Sequence, residues 1–402
     1  MIKNYRWLSV LALVCFTSSG YANNEDLRQY FQQIIDEQQS ALQSDLIMSS
    51  ANDGFVENVR GWVDGTELRL SAENDDDNKR SIALRVKLKN APRHSIEQDI
   101  LQLTQEQRQL DHQQALNDRL QRAYSELLDL IAEQEQLDHL QVVSSMHAAA
   151  IKYYRNLVLS NDFHPENLLE NELEHEQHRF QIELQVRQIN ALTKALKFDA
   201  KLPQLTLTEK MMLDVVAQYS DRTTLEVEHA QLDLMLQQKK LKHEQSGEKF
   251  ALTAVQLSQE FNHNKDTVTG IQVDLRIPFA RPAFNSGVRQ QDVSEVTYRL
   301  HRLQQSAALK AAQLVQKMEQ SQISILAFER LAKSIDSRIK KATDSRLIIK
   351  LRQQHLAQLK SIMRERQSFR KLYIELLAHY SVLGRELDTN WLIPPVTQNS
   401  RG

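Results

Sequence analysis

The segment Thr269–Phe279 reads TGIQVDLRIPF, with apolar Ile271, Val273, Leu275 and Ile277 alternating with Gln272, Asp274 and Arg276. Period-two alternation describes a β-strand with one apolar and one polar face. After Pro282 the pattern changes to a stretch of three/four spacing without internal proline, running to about Lys350. The same sequence of events occurs about 190 residues earlier. Ile82, Leu84, Val86 and Leu88 alternate with Arg85 and Lys87, Pro92 follows, and helical spacing continues to about Ser160. A repeat of this length sets the architecture before any single motif is read.

Each of these strands has a partner upstream. Leu68, Leu70 and Ala72 alternate with Glu67, Arg69 and Ser71, and the polar run Asn74–Asn78 links them to the next strand. In the second copy Phe250–Phe261 plays this part, although its apolar residues Leu252, Ala254, Val255 and Leu257 fall on both parities. Two strands joined by a polar loop form a hairpin. Helical stretches precede both hairpins, one from Asn24 through Leu27, Phe31, Ile34 and Ile35, the other from Thr208 to about Gln245 with an interruption near Ser220 and Asp221.

The predicted layout has a secretory signal peptide over 1–22 and a first repeat over 23–206, with a hairpin at about 66–90, a long helix over 93–160 and a return helix over 165–199. The second repeat covers 207–390, with a hairpin at about 249–278, a long helix over 285–350 and a return helix over 355–387. A C-terminal tail covers 391–402, extended over Trp391–Pro395. The signal reading rests on Lys3 and Arg6, the apolar run Trp7–Phe16 and the small residues before Ala22. That run is too short to span a bilayer. Leu13 and Val14 before Cys15 oppose lipidation, and Cys15 is the only cysteine, so disulfide and thiolate chemistry are not expected.

Composition agrees with few, long elements. Only nine glycines and seven prolines punctuate 402 residues, and aromatics are 6%. A helix of about 65 residues is roughly 100 Å long and must lie against other long helices. The 50 basic and 52 acidic residues are evenly spread, which gives no electrostatic case for nucleic acid. No phosphate-cradling loop and no nucleophilic constellation is present, so an enzyme is not expected, nor a cofactor. His175 and His178 with Glu174 sit at i, i+3, which suits a solvated helix face better than a metal site. Asp75–Asp77 lack the glycine and terminal glutamate of a calcium loop.

Four strands of membrane-spanning length cannot close a barrel, and a sheet in hydrocarbon must close. Three copies would supply twelve strands, so hairpins that enter a membrane imply a homotrimer. The order of helix, hairpin, long helix, tip turn and return helix, repeated twice, resembles the TolC-type outer-membrane efflux protein family. The local likeness is strongest in Thr269–Phe279, followed by Asn285–Arg289, and in LLAHYSVLGREL, Leu376–Leu387, which is similar to the family's closing helix near a Leu-Gly pair. The fold class is mainly α with a small β part, and the resemblance implies a trimeric twelve-strand β-barrel with a periplasmic α-barrel.

It further implies an exit duct in the outer membrane of a Gram-negative bacterium, a passive conduit served by a periplasmic adaptor (membrane fusion protein) and an inner-membrane pump, as in tripartite efflux or type I secretion. The barrel lumen would be lined by Glu67, Arg69, Arg85, Lys87, Gln272, Asp274 and Arg276; their other reading is the solvated face of an ordinary sheet. Asp162, Glu166, Asp344 and Arg346 lie nearest the two tip turns and are the candidate periplasmic gate, or else plain turn residues. The glycine common at the family's tips is absent, with Asn161 and Asp162 at one tip and Leu351–Gln353 expected at the other. The competing class is a soluble periplasmic coiled-coil scaffold or adaptor.

Overall fold

The computed structural model describes residues 24–50, 63–72, 80–88, 91–159, 163–198, 205, 207–247, 251–261, 267–276, 284–387 and 389–393. The signal-peptide segment, the Asp75–Asp77 turn and Asp162 lie outside them. In chain order the elements are α1 (Asn24–Ser50), β1 (Val63–Ala72), β2 (Arg80–Leu88), α2 (Ala91–Asn156), α3 (Pro165–Leu196), α4 (Glu209–Ala217), α5 (Leu225–Gly247), β3 (Ala251–Phe261), β4 (Thr267–Arg276), α6 (Phe284–Lys341) and α7 (Ser345–His379). Contacts divide the chain into two units, and each draws on both sequence repeats: residues 38–115 with 223–309, and residues 1–37 with 116–222 and 310–402.

The unit of 38–115 and 223–309 holds a four-stranded sheet in the order β1-β2-β3-β4, antiparallel throughout. The outer pairings are the two hairpins. The central one, β2 with β3, joins the repeats. In the helical part of this unit α2 offers acids and α5 bases: Asp99 pairs with Lys239, Glu97 with His243 (3.1 Å) and Asp111 with His229 (3.1 Å). A small apolar cluster of Val227, Ala230 and Leu300 packs α5 on α6.

The second unit carries the main core. Leu27, Phe31 and Ile35 of α1, Leu120, Tyr124, Leu127 and Leu130 of α2, Met212 of α4, Met318 and Ile325 of α6 and Phe369 and Tyr373 of α7 are buried together. Phe31 stacks on Tyr124 with centroids 4.0 Å apart. Each such side chain contributes about 1.5–3 kcal/mol on burial. At the rim Arg366 of α7 donates to Glu209 (3.0 Å) and Glu329 (2.7 Å), and Arg370 to Glu135 (2.9 Å).

Helix ends explain where the chain turns. Pro165 opens α3, where its missing N–H costs nothing. Thr208 caps α4, its side chain accepting from Met211 N (3.3 Å). Both α3 and α7 close in a Schellman motif. Lys197 (φ 53°) and Ser381 (φ 59°) take the left-handed position without being glycine, and Phe198 and Val382 bond back to Thr193 and Leu377.

Three expectations need correction. The second long helix ends at Lys341, not 350, and the return helix begins at Ser345, not 355, so Leu351, Arg352 and Gln353 lie inside α7. The expected break carried the repeat offset on to the tip, but α6 has 58 residues against 66 in α2. Asp344 decides the boundary: its carboxylate accepts from Arg346 N at 3.0 Å and caps α7. The closing helix stops at His379 rather than 387, because Ser381 turns left-handed, and Leu383 and Gly384 stand in the following turns. Trp391–Ile393 form a turn rather than an extended tail, with Trp391 and Leu392 buried in the core.

Candidate functional site: the two-faced sheet and the helical tips

Residues paired across a sheet share a face, so the register sorts every strand position. One face carries Leu68, Leu70, Ile82, Leu84, Val86, Val255, Leu257, Ile271 and Val273. Most are open to the surroundings, Leu68 at 65%, Leu70 at 70% and Ile271 at 70%. A contiguous exposed apolar face of this kind is not tolerated in water without a cover.

The other face carries Glu67, Arg69, Ser71, Ser81, Arg85, Lys87, Gln256, Ser258, Glu260, Gln272 and Asp274. Most of its charges are paired within the face. Glu67 holds Arg69 (3.0 Å) and Lys87, while Arg85 of β2 reaches Asp274 of β4, which also accepts from Gln272 Nε2 (3.1 Å). Strands two apart are separated by about 9.6 Å. The arginine spans that gap over Ala254, which is 1% exposed. Ala83, Ser258 and Gly270 form the adjacent row, and a Cβ on Gly270 would stand 2.9 Å from Ser258 Oγ.

The expected lumen set thus falls on one face in two groups, Glu67–Arg69–Lys87 and Arg85–Gln272–Asp274. Arg276 is paired with Ala251 at the end of β4, and its side chain lies outside the described residues. Gln256, Ser258 and Glu260 were missed. The reason is a bulge between Leu252 and Ala254, which shifts the parity of β3 and puts Ala254 on the polar face. The alternation after Ala254 was the available signal.

At the tips, Glu166 lies exposed in the first turn of α3, where the helix dipole favours an acid. Asp344 and Arg346 sit at the turn from α6 to α7. Tyr154, near the end of α2, has its phenol raised by burial and by Tyr153, and Arg346, Glu170 and Asp344 also act on it. Both turns therefore lie within electrostatic reach of one another. Val158 and Leu159 are exposed beside the first turn. His175 and His178 are engaged, His175 with Ser144 and His178 with the His147 ring. Among the described residues no group of three or more His, Cys, Asp or Glu side chains is placed to share a metal ion.

No family model and no curated protein matches this sequence. Solved structures do. A membrane protein from Pseudomonas aeruginosa superposes with a TM-score of 0.65 at 11% identity, covering 90% of this chain and 93% of that one. The outer-membrane channel OprN gives 0.63 at 11% identity (92% and 91%), and the outer membrane protein VceC from Vibrio cholerae gives 0.57 at 12% (89% and 96%). The fold is that of the TolC-type outer-membrane channels. At 11–12% identity the likeness is one of fold and transfers no site residue. No described helix is long and apolar enough to cross a membrane, which bears on helices only.

Proposed function

We propose that this chain is an outer-membrane channel, the exit duct of a tripartite efflux or type I secretion-like system. The observation that carries the reading is the two-faced sheet: an exposed face of leucine, isoleucine and valine backed by a face of paired charges, on strands of nine to eleven residues. Such strands suit a bilayer in length and alternation.

In this reading β1 and β4 are the free edges of one third of a twelve-stranded barrel. Three copies close it, and the polar, small-residue face lines the lumen. Glu67, Arg69, Arg85, Lys87, Gln272, Asp274 and Arg276 face the conducted solution, joined by Gln256, Ser258 and Glu260. Because the lumen set mixes signs, with Arg85 paired to Asp274 and Glu67 shared by Arg69 and Lys87, the lumen selects weakly by charge. The helices form the wall of a periplasmic tunnel. Its self-association is supported by α3, which turns Leu169, Leu173, Phe180 and Leu184 outward, each at least 47% exposed.

Asp162, Glu166, Asp344 and Arg346 would stand at the periplasmic constriction, where the adaptor and the inner-membrane pump deliver substrate. The duct is passive, and energy comes from the pump. Purified protein in planar lipid bilayers tests the proposal. Stepwise single-channel currents from a species of three chains are expected; a protein that stays monomeric and soluble without detergent would falsify the channel and favour the scaffold.

A further inference from the structure

The apolar face of the sheet changes character along its strands. Across the register, Thr66, Val86, Val255 and Val273 form one row and Leu68, Leu84, Leu257 and Ile271 the next. Then come Leu70, Ile82, Gln259 and Thr269, and last, beside the hairpin turns, Ala72, Arg80, Phe261 and Thr267. From Val86 to Arg80 is about 20 Å of strand. The opposite end closes on Val63 with Leu88 and Leu252 with Leu275, all apolar.

Arg80 is the only charged residue in these rows, and among the described residues it forms no ion pair. Its direct cross-strand partner is Phe261, 40% exposed. Gln259, Thr267 and Thr269 flank that position on the same face, and all are exposed. A guanidinium, an amide and two hydroxyls thus gather around one aromatic side chain where the apolar band ends. No acid in these rows answers the positive charge. On a lipid-facing strand the cost of an arginine falls near the interface, where aromatic residues also collect, and its long stem carries the head to the level of the headgroups. The planar guanidinium fork gives a phosphate two parallel N–H···O bonds.

We propose that Arg80, Gln259, Thr267 and Thr269 form a docking site for the anionic phosphate headgroup of a lipid whose chains lie along Leu84, Leu257 and Ile271. Arg80 takes the phosphate oxygens, and the amide and hydroxyls donate to the neighbouring ester and glycerol oxygens. The site selects one leaflet, that on the side of the hairpin turns. It rests on the channel reading, because only an inserted sheet has lipid against this face.

Native mass spectrometry of the detergent-released protein, with phosphatidylglycerol or phosphatidylcholine added in turn, tests it. Phosphatidylglycerol should be retained about fivefold better, the contribution of one basic residue beside anionic headgroups. Arg80→Gln should abolish the preference, Arg80→Lys should keep part of it, and Gln259→Leu should reduce it without removing it. Equal retention of the two lipids by the wild type, an unchanged preference in Arg80→Gln, or displacement of bound phosphatidylglycerol by inorganic phosphate overturns the site. Bilayer currents separate the two readings. A conducting protein without the lipid preference keeps the channel and sinks the site; a protein that neither conducts nor leaves the aqueous fraction sinks the channel and the site with it.

Discussion

Arg85 and Asp274 occupy equivalent positions of the two repeats, 189 residues apart, and bond to each other over the strand between them. The repeat is therefore joined to itself at one ion pair. Both side chains are about a quarter exposed, so the pair is neither screened like a surface bridge nor fully desolvated.

Removing the acid should leave the guanidinium short of its acceptor. Asp274→Ala is expected to cost about 1–3 kcal/mol in denaturant unfolding of the detergent-solubilised protein. The charge exchange Arg85→Asp/Asp274→Arg should recover most of the loss. Equal stability of Asp274→Ala and wild type would show the pair to be ornamental.

The two faces of the sheet predict opposite phenotypes. Leu68→Lys and Ile271→Lys place a charge on the apolar face and should impair membrane insertion by about 2–4 kcal/mol each at mid-depth. Gln272→Lys, on the polar face, should insert normally and shift ion selectivity toward anions. Membrane fractionation with reversal potentials would decide, and normal insertion of both lysines on the apolar face would reverse the face assignment.

Asn117, 2% exposed, stitches α2 to the end of α7: its Nδ2 donates to Ala378 O (2.9 Å) and its Oδ1 accepts from Gly384 N (3.3 Å). Asn117→Ala takes the side-chain partner from two buried backbone groups, leaving Gly384 N–H without its acceptor, while Ala378 O keeps Ser381 N (2.9 Å). A loss of about 2–3 kcal/mol in a urea titration is expected. Loss below a few tenths would mean that other groups satisfy them.

Ser381 pays for its left-handed backbone, and glycine would not. Ser381→Gly should raise stability by about 0.5–1 kcal/mol, with Lys197→Gly behaving alike in calorimetry. Destabilisation by either would place the weight of these turns on the side chain.

Tyr219 donates to Glu386 Oε2 at 2.9 Å, and burial, that hydrogen bond and the carboxylate's charge push its phenol up to about 12. A raised pKa gives stability that is whole below the ordinary value of 10 and lost as pH rises through 12. The alkaline ultraviolet difference spectrum between wild type and Tyr219→Phe should develop only near pH 12; development near 10 would contradict the bond.

Much of the fold was legible in the residues because its signals are local. Period-two alternation at Ile82–Leu88 and Ile271–Ile277 marks strands, and long three/four runs mark helices, whatever they later touch. Legibility failed where one competing interaction decided. A bulge beside Ala254 hid the polar side of β3, the Asp344 cap ended a helix inside an unbroken apolar rhythm, and Ser381 ended another at a residue that usually avoids that backbone. On α3 the apolar residues Leu169, Leu173, Phe180 and Leu184 mark a helix by spacing alone, but they turned out to face away from its partner α2.

By itself, then, the sequence determined the kinds of element, their order and their twofold repetition, since backbone preference and hydrophobic period act between near neighbours. Only the tertiary structure decided that Arg85 meets Asp274, that Asn117 holds the end of α7 and that the His147 and His178 rings stack. Those pairings join residues dozens to hundreds of positions apart, and no periodicity along a chain records which distant side chains will share a face.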